Sequence, residues 1–266
     1  MEQQVFEKFR RLIYDKSGIS LGPQKVSLVS ARVGRRMRDL ALHSHDEYLN
    51  TVLKDESGAE LVHLLDAVST NVTSFFREAQ HFEFFSERLR QWSSEGQNRF
   101  RIWCAAASTG EEPFTIAMTM LEALPSGMDI KILGTDISTR VLQACMAGIY
   151  PEAKIDGIPR NLLAKYYTKQ TSAGGAIYSV NNEMRKMMTF RRMNLSTPPY
   201  PMKGPMDVIF CRNVMIYFDG ELRGKIAEQA HRLLRPGGYL IIGHSESLMG
   251  TTRKFKVVMP SVYQKL

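Results

Sequence analysis

Arg101-Ile-Trp-Cys-Ala-Ala-Ala-Ser-Thr-Gly110-Glu-Glu-Pro113 is the stretch on which the fold turns. Its first six residues form a compact apolar run that reads as a strand. Small residues then make a tight turn, and Pro113 falls in the first turn of a helix, a position that suits its fixed φ. Phe114, Ile116, Ala117, Met120, Leu121 and Leu124 supply the apolar face of that helix. The same alternation continues outward. Lys131-Ile-Leu-Gly-Thr-Asp136 is a second strand ending on an acid, with Ser138 placed to cap a following helix. Met188–Asn194, Asp207–Asn213, the helix Glu221–Leu234 and Gly238–Gly243 carry it on. Strand, helix, strand, helix in this order predicts an α/β domain, with a doubly wound, mostly parallel sheet covered on both faces. One stretch, 165–187, interrupts the pattern. It holds Thr171-Ser-Ala-Gly-Gly175 and the alternating Ala176-Ile-Tyr-Ser-Val180, and reads as a small hairpin-like insertion.

The residues before this unit are helical. Phe6, Phe9, Leu12 and Ile13 recur at helical spacing, and Gly22-Pro23 starts a second helix with Val26, Val29, Val33, Met37 and Leu40 as its stripe. Arg32, Arg35 and Arg36 share a separate face that should be more exposed. Two short amphipathic helices fill 45–68, and a polar loop runs from Ser69 to Arg77. A helix from His81 to Trp92 follows, then a linker to about 98. The expected organisation is a helical domain over 1–90 and a second domain over 99–266.

Composition excludes several classes. The chain has 266 residues, 44% hydrophobic and 23% charged, which is enough to bury a proper core and rules out a disordered or collagenous protein. No apolar run approaches the roughly 18 residues of a membrane span, and the charged N-terminus lacks a signal-peptide core. Cys104, Cys145 and Cys211 are far apart and without ligand spacing, as reduced cytoplasmic thiols would be. His43, His45, His63, His81, His231 and His244 are not expected to form a metal set; only His43 and His45 lie close. The net charge of +8 concentrates in two places: residues 1–39 hold nine Lys/Arg against four Asp/Glu, and 150–206 hold nine against three. Such a balance favours an acidic partner.

The site should lie beyond the carboxyl ends of the strands: Ser108–Glu112, Asp136, Asn194, Arg212-Asn213 and His244. The first turn lacks Gly-x-Gly-x-x-Gly spacing, and a pyrophosphate there would face Glu111 and Glu112. Acids at a helix N-terminus also have an ordinary dipole explanation. Asp136, at the second strand end, suits the two hydroxyls of a ribose. An adenosine with a cationic amino-acid tail and no phosphates is S-adenosyl-L-methionine. A nicotinamide dehydrogenase is disfavoured by the same turn.

Four ordered motifs then carry a resemblance. Asn71-Val-Thr73-Ser-Phe-Phe-Arg77, Ala105–Pro113, Phe210-Cys-Arg-Asn213-Val-Met-Ile-Tyr217-Phe-Asp219, and Pro236-Gly-Gly with Gly243-His-Ser-Glu resemble the CheR family over nearly the whole chain. These are chemotaxis methyltransferases that esterify glutamates on chemoreceptors. Phe114-Thr115 departs from the Tyr-Ser of many members. The resemblance implies a class I (Rossmann-like) methyltransferase domain behind the helical one, with a small β-subdomain inserted in it at about 165–187. It implies cofactor contacts from Asn71, Thr73, Arg77, one or both of Glu111 and Glu112, Asp136, Asn194, Leu195, Asn213 and Val214. Arg77 and Tyr217 would orient the acceptor carboxylate. Such a carboxylate, with an ordinary pKa of about 4.3, is ionised at neutral pH and needs no general base. Arg32, Arg35, Arg36 and Arg38 would lie along an acidic receptor helix, and a receptor C-terminal tail could add to the inserted β-subdomain. A monomer acting in the cytoplasm, without membrane insertion, nucleic acid or metal, is expected, with S-adenosyl-L-homocysteine as product. Competing readings are a methyltransferase for another acceptor, nucleic acid included, and a non-enzymatic receptor adaptor.

Overall fold

The computed structural model describes residues 1–172, 175–250 and 252–266. Four helices open the chain: α1 (Gln3–Ser17), α2 (Val26–Asp39), α3 (His45–Lys54) and α4 (Ala59–Val68). Their apolar stripes converge on one core containing Phe6, Phe9, Ile13, Val29, Val33, Tyr48, Leu64 and Leu65. Gly18 ends α1 in the left-handed region at φ 71°, and a Cβ there would fall 2.3 Å from Leu222 Cδ2. Glycine thus permits both the stop and the close approach of α1 to the second domain.

Helix α5 (Gln80–Ser94) departs from expectation. Its sequence places it in the helical domain over 1–90, yet its Phe82, Phe85, Leu89 and Trp92 bury in the core of the sheet that follows. Phe82 stacks on Phe210 at 5.9 Å and Trp92 on Tyr239 at 5.7 Å. Amphipathicity announces an apolar face but not the surface it will cover. By packing, the first domain ends near 69.

The second domain is built on a seven-stranded mixed sheet. Its strands are β1 (Arg99–Cys104), β2 (Asp129–Asp136), β6 (Met188–Arg192), β7 (Met206–Cys211), β8 (Leu234–Ile242), β9 (Phe255–Met259) and β10 (Val262–Lys265). The order is β6-β2-β1-β7-β8-β10-β9. Pairing is parallel from β6 to β8 and antiparallel on both sides of β10. Helices α6 (Glu111–Ala123), α7 (Thr139–Ala147) and α10 (Gly220–Leu233) connect the parallel strands. Strand β1 is followed in sequence by β2 on one side and, later, by β7 on the other. The winding therefore reverses at β1, and that is where a crevice opens in such sheets.

The insertion is larger than expected. Strands β3 (Ile149–Pro151), β4 (Tyr167–Ser172) and β5 (Gly175–Val180) form an antiparallel sheet in the order β3-β5-β4, flanked by α8 (Arg160–Tyr166) and α9 (Asn182–Met187). The subdomain therefore begins at Ile149 rather than 165, because a three-residue strand carries too little alternation to be read. Residues 173–174, within the expected Thr171–Gly175 stretch, lie outside the described residues.

Candidate active site

A cavity opens at the carboxyl ends of β1, β2 and β7, as the winding requires, and the first domain closes over it. The segment Ser17–Gly22 after α1, with Lys25 and Leu28 at the start of α2, forms one wall. The loop 68–77 forms another, and Ala105, Ala106 and Ser108 form the floor. Of the residues expected at the site, Asn71, Thr73, Arg77, Glu112, Asp136, Asn194, Leu195, Asn213, Val214 and Tyr217 all line this one cavity. They come from five separate segments of sequence.

Glu111 does not join them. It is fully buried, receives the Thr109 hydroxyl at 2.6 Å and lies 3.5 Å from Lys154 Nζ beneath the insertion. Successive residues on a helix point about 100° apart, so only one of the two glutamates can face the crevice, and it is Glu112. Gly110 is likewise not there for a ligand: a Cβ on it would meet the Tyr150 hydroxyl at 2.5 Å.

Asp136 is 8% exposed, and each carboxylate oxygen accepts one backbone N–H, from Ser138 at 3.0 Å and Ser108 at 2.9 Å. Burial pushes its pKa up; the two amides oppose that shift. The carboxylate is held in place, with lone pairs to spare for hydroxyl donors. Glu112 accepts from Arg212 Nη1 at 2.6 Å and from the Cys104 thiol at 3.1 Å. Burial raises its pKa while Arg212 draws it down. Asn194 lines the cavity with an amide already engaged, donating to Lys16 O at 2.7 Å and accepting from Ser196 N and Oγ. It ties the end of α1 to the sheet.

Arg77 donates from Nη1 to Val72 O at 3.0 Å, and its side chain is 37% exposed. Behind it lies a group that sequence reasoning did not find. Glu78 accepts from Asn213, from Arg212 and from the backbone of His244. Its pKa lies below the usual range: burial would raise it, but Asn213 and Arg212 together outweigh that. Glu246 accepts the N–H groups of Asn213, Ile216 and Gly243, at 2.9, 3.2 and 2.6 Å, and so shapes the segment that carries Tyr217. The only hint in sequence was adjacency, Glu78 beside Arg77 and Glu246 in the Gly-His-Ser-Glu motif.

The histidines also need correction. His81 and His244, 163 positions apart, pack edge to face at 4.8 Å, and with Glu78 they form a cluster spaced like metal ligands. Glu78 is already committed there, and the Arg212 guanidinium 3.1 Å from its oxygen opposes a cation.

The basic face of α2 divides. Arg36 forms a two-pronged pair with Glu60 of α4 at 2.8 and 2.7 Å, and Arg32 donates to Val68 O at 2.6 Å and Ser69 O at 3.2 Å. Both are half-buried internal ties, contrary to the exposure expected of them, because α4 packs along that side of α2. Arg35 and Arg38 remain exposed.

Two polar atoms on the cavity wall test what it can hold. Asn71 Nδ2 and Ser108 Oγ are buried with no hydrogen-bond partner, a costly arrangement unless a ligand answers them. The carboxylates at this wall are Asp136 and Glu112, with no phosphate-binding glycine loop beside them. Such a donor set fits a cationic nucleoside. Sheet order, crevice and chemistry together define a class I methyltransferase that uses S-adenosyl-L-methionine.

The chain belongs to the CheR methyltransferase family: the family's all-alpha domain matches residues 4–69 and its SAM binding domain residues 71–263. It is 36% identical to the chemotaxis protein methyltransferase of Escherichia coli (strain K12), covering 97% of this chain and 89% of that one. Chemotaxis protein methyltransferase 2 of Pseudomonas aeruginosa is 38% identical, over 98% of this chain and 92% of its own. The chemotaxis protein methyltransferase of Borreliella burgdorferi is 35% identical, over 96% and 92%.

Proposed function

We propose that the protein methylates glutamate side-chain carboxylates of chemoreceptors, giving glutamyl methyl esters and S-adenosyl-L-homocysteine. One observation carries the reading. Among the described residues lining the cavity there is no histidine, and both carboxylates, Asp136 and Glu112, are held by fixed donors. An alcohol acceptor would need a base to take its proton; a carboxylate needs none, being ionised already.

When bound, the cofactor supplies an electrophilic methyl group on a sulfonium. In our reading Asp136 holds the ribose hydroxyls, and Glu112, Asn71 and Asn213 meet the remaining polar groups. Arg77 and Tyr217 then orient the acceptor from the mouth of the cavity. Arg77 Nε lies 4.0 Å from Glu78 Oε1, so part of its charge is already answered. It can steer a carboxylate without masking the attacking oxygen. The first-domain wall over the crevice excludes water from that line of approach.

Helix α2 leads away from Lys25 and Leu28 at the cavity and bears the exposed Arg35 and Arg38 further along. An acidic receptor helix lying beside it would bring a glutamate to Arg77. The outer edge of β4 is open to strand addition by a receptor tail. We place the reaction in the cytoplasm, with the protein as a monomer.

Incubation with tritiated methyl donor and receptor cytoplasmic fragments tests the assignment. Label released as methanol by mild alkali and mapped to glutamate-bearing peptides is the expected result. Alkali-stable label, or label on nucleic acid, would overturn it.

A further inference from the structure

Glu78 does not line the cavity and leaves only 13% of its side chain exposed, yet its carboxylate gathers several of the residues that do. Its backbone is left-handed at φ 57°, as is that of Phe76 at 53°, conformations that cost a non-glycine residue free energy and persist only where the surroundings impose them. What imposes this one is a buried ionic trio. Oε2 of Glu78 accepts Arg212 Nη2 at 3.1 Å and the His244 backbone at 3.2 Å, and Oε1 accepts the Asn213 amide at 3.2 Å. Arg212 is 4% exposed. It reaches on to Glu112 Oε2, donates also to the carbonyl of Arg77, and lies over the Phe82 ring at 5.2 Å. Three cavity residues on three segments therefore converge on one carboxylate. They are Asn213 directly, and Arg77 and Glu112 through Arg212.

We propose that Glu78 is a positioning residue for the cofactor site. It fixes the Asn213 amide and, by anchoring Arg212, sets the Arg77 and Glu112 walls before any ligand enters. Donation of Nδ2 to Glu78 leaves Oδ1 as the acceptor that the Asn213 amide can offer. Without the Glu78 charge, Arg212 has a single carboxylate partner and the Asn213 amide is free to turn over. The wall is then no longer preorganised, and affinity is lost although Glu78 itself touches no ligand. This inference rests on the cofactor and is independent of the acceptor, so it stands even if the label in the assay above appears elsewhere.

Calorimetric titration with S-adenosyl-L-homocysteine, alongside thermal melting, tests it in three variants. Glu78→Gln should weaken binding about tenfold or more, the scale of losing one charge-assisted hydrogen bond, and raise the donor KM more than the acceptor KM. Glu78→Asp, which keeps the charge, should recover part of that loss. Combined with Asn213→Ala, Glu78→Gln should cost clearly less than the sum of the two single losses, because the Asn213 arm is counted in both while the Arg212 arm is lost only with Glu78. A purely structural glutamate would lower the melting midpoint while the folded fraction bound the product normally. That outcome, or additive losses in the double variant, would sink the proposal. Should Glu78→Gln fail to fold, Glu78→Asp decides alone: product affinity equal to the parent's would overturn the assignment.

Discussion

Tyr217 sits at the end of a short turn, Met215–Tyr217, whose backbone is pinned from two sides. Glu246 accepts the Ile216 N–H at 3.2 Å, and the Tyr217 carbonyl accepts the N–H of Ser20 at 2.8 Å. The backbone that carries the phenol is thus held by the first domain and the last loop at once. If it donates to the acceptor carboxylate, Tyr217→Phe should lower kcat about tenfold to a hundredfold, the scale of one preorganised donor. Calorimetric affinity for S-adenosyl-L-homocysteine should stay near that of the parent. A fall in product affinity with kcat preserved would place the hydroxyl on the cofactor instead. At this scale the sequence was informative wherever chemistry and position coincide. Asp136 closes an apolar strand, and Asn213 and Tyr217 follow another. It was blind to Arg212 and Glu78 as partners, since 134 positions separate them and nothing in composition or period links a loop carboxylate to a strand-end guanidinium.

Helix α2 shows how an element's surface is decided by its neighbour. Spacing put four arginines on it and could not say that α4 would occupy one side. The structure separates Arg36, whose guanidinium holds the Glu60 carboxyl below its ordinary range, from the exposed Arg35 and Arg38. Their replacements should separate likewise. Arg35→Ala with Arg38→Ala should raise KM for a receptor fragment, increasingly so at low salt, and leave the melting midpoint unchanged. Arg36→Ala should cost stability of about 2 kcal/mol in denaturant titration by stranding Glu60. The pH dependence follows from the depressed value: the pair's contribution is complete above the unfolded carboxyl pKa and fades as acid carries pH down through the folded one. Glu60→Gln should flatten that limb. Helix α5 and strand β3 teach the same lesson. An apolar stripe such as Phe82, Phe85 and Leu89 does not name its core, and Ile149–Pro151 becomes a strand only because Ile177, Tyr178 and Ser179 pair beside it.

For the whole molecule, the acid response should centre on His81, fully buried between the domain core and Glu78. Desolvation, with Arg212 nearby, lowers its pKa to about 4. Between that value and the unfolded pKa of about 6.5, the unfolded chain binds a proton that the native chain refuses. Stability therefore rises with pH across this window, and the melting midpoint should fall on acidification from 6.5 towards 4. His81→Gln should remove part of that slope, whatever its effect at neutral pH; an unchanged slope would show that other groups govern it.

The two domains are joined by more than the connecting chain. Asp66 of α4 caps the start of α7 through Thr139 N at 3.1 Å and Thr139 Oγ1 at 3.0 Å, while Tyr14 of α1 donates to Asp219. Gly18 nests against Leu222. Between these joints runs Ser17–Gly22, the same few residues that wall the crevice. The helical module and the sheet module are consequently not interchangeable cassettes. A sheet module excised at residue 71 would carry every strand yet present a half-open trough, and a helical module grafted from a relative would have to bring its own matching seal.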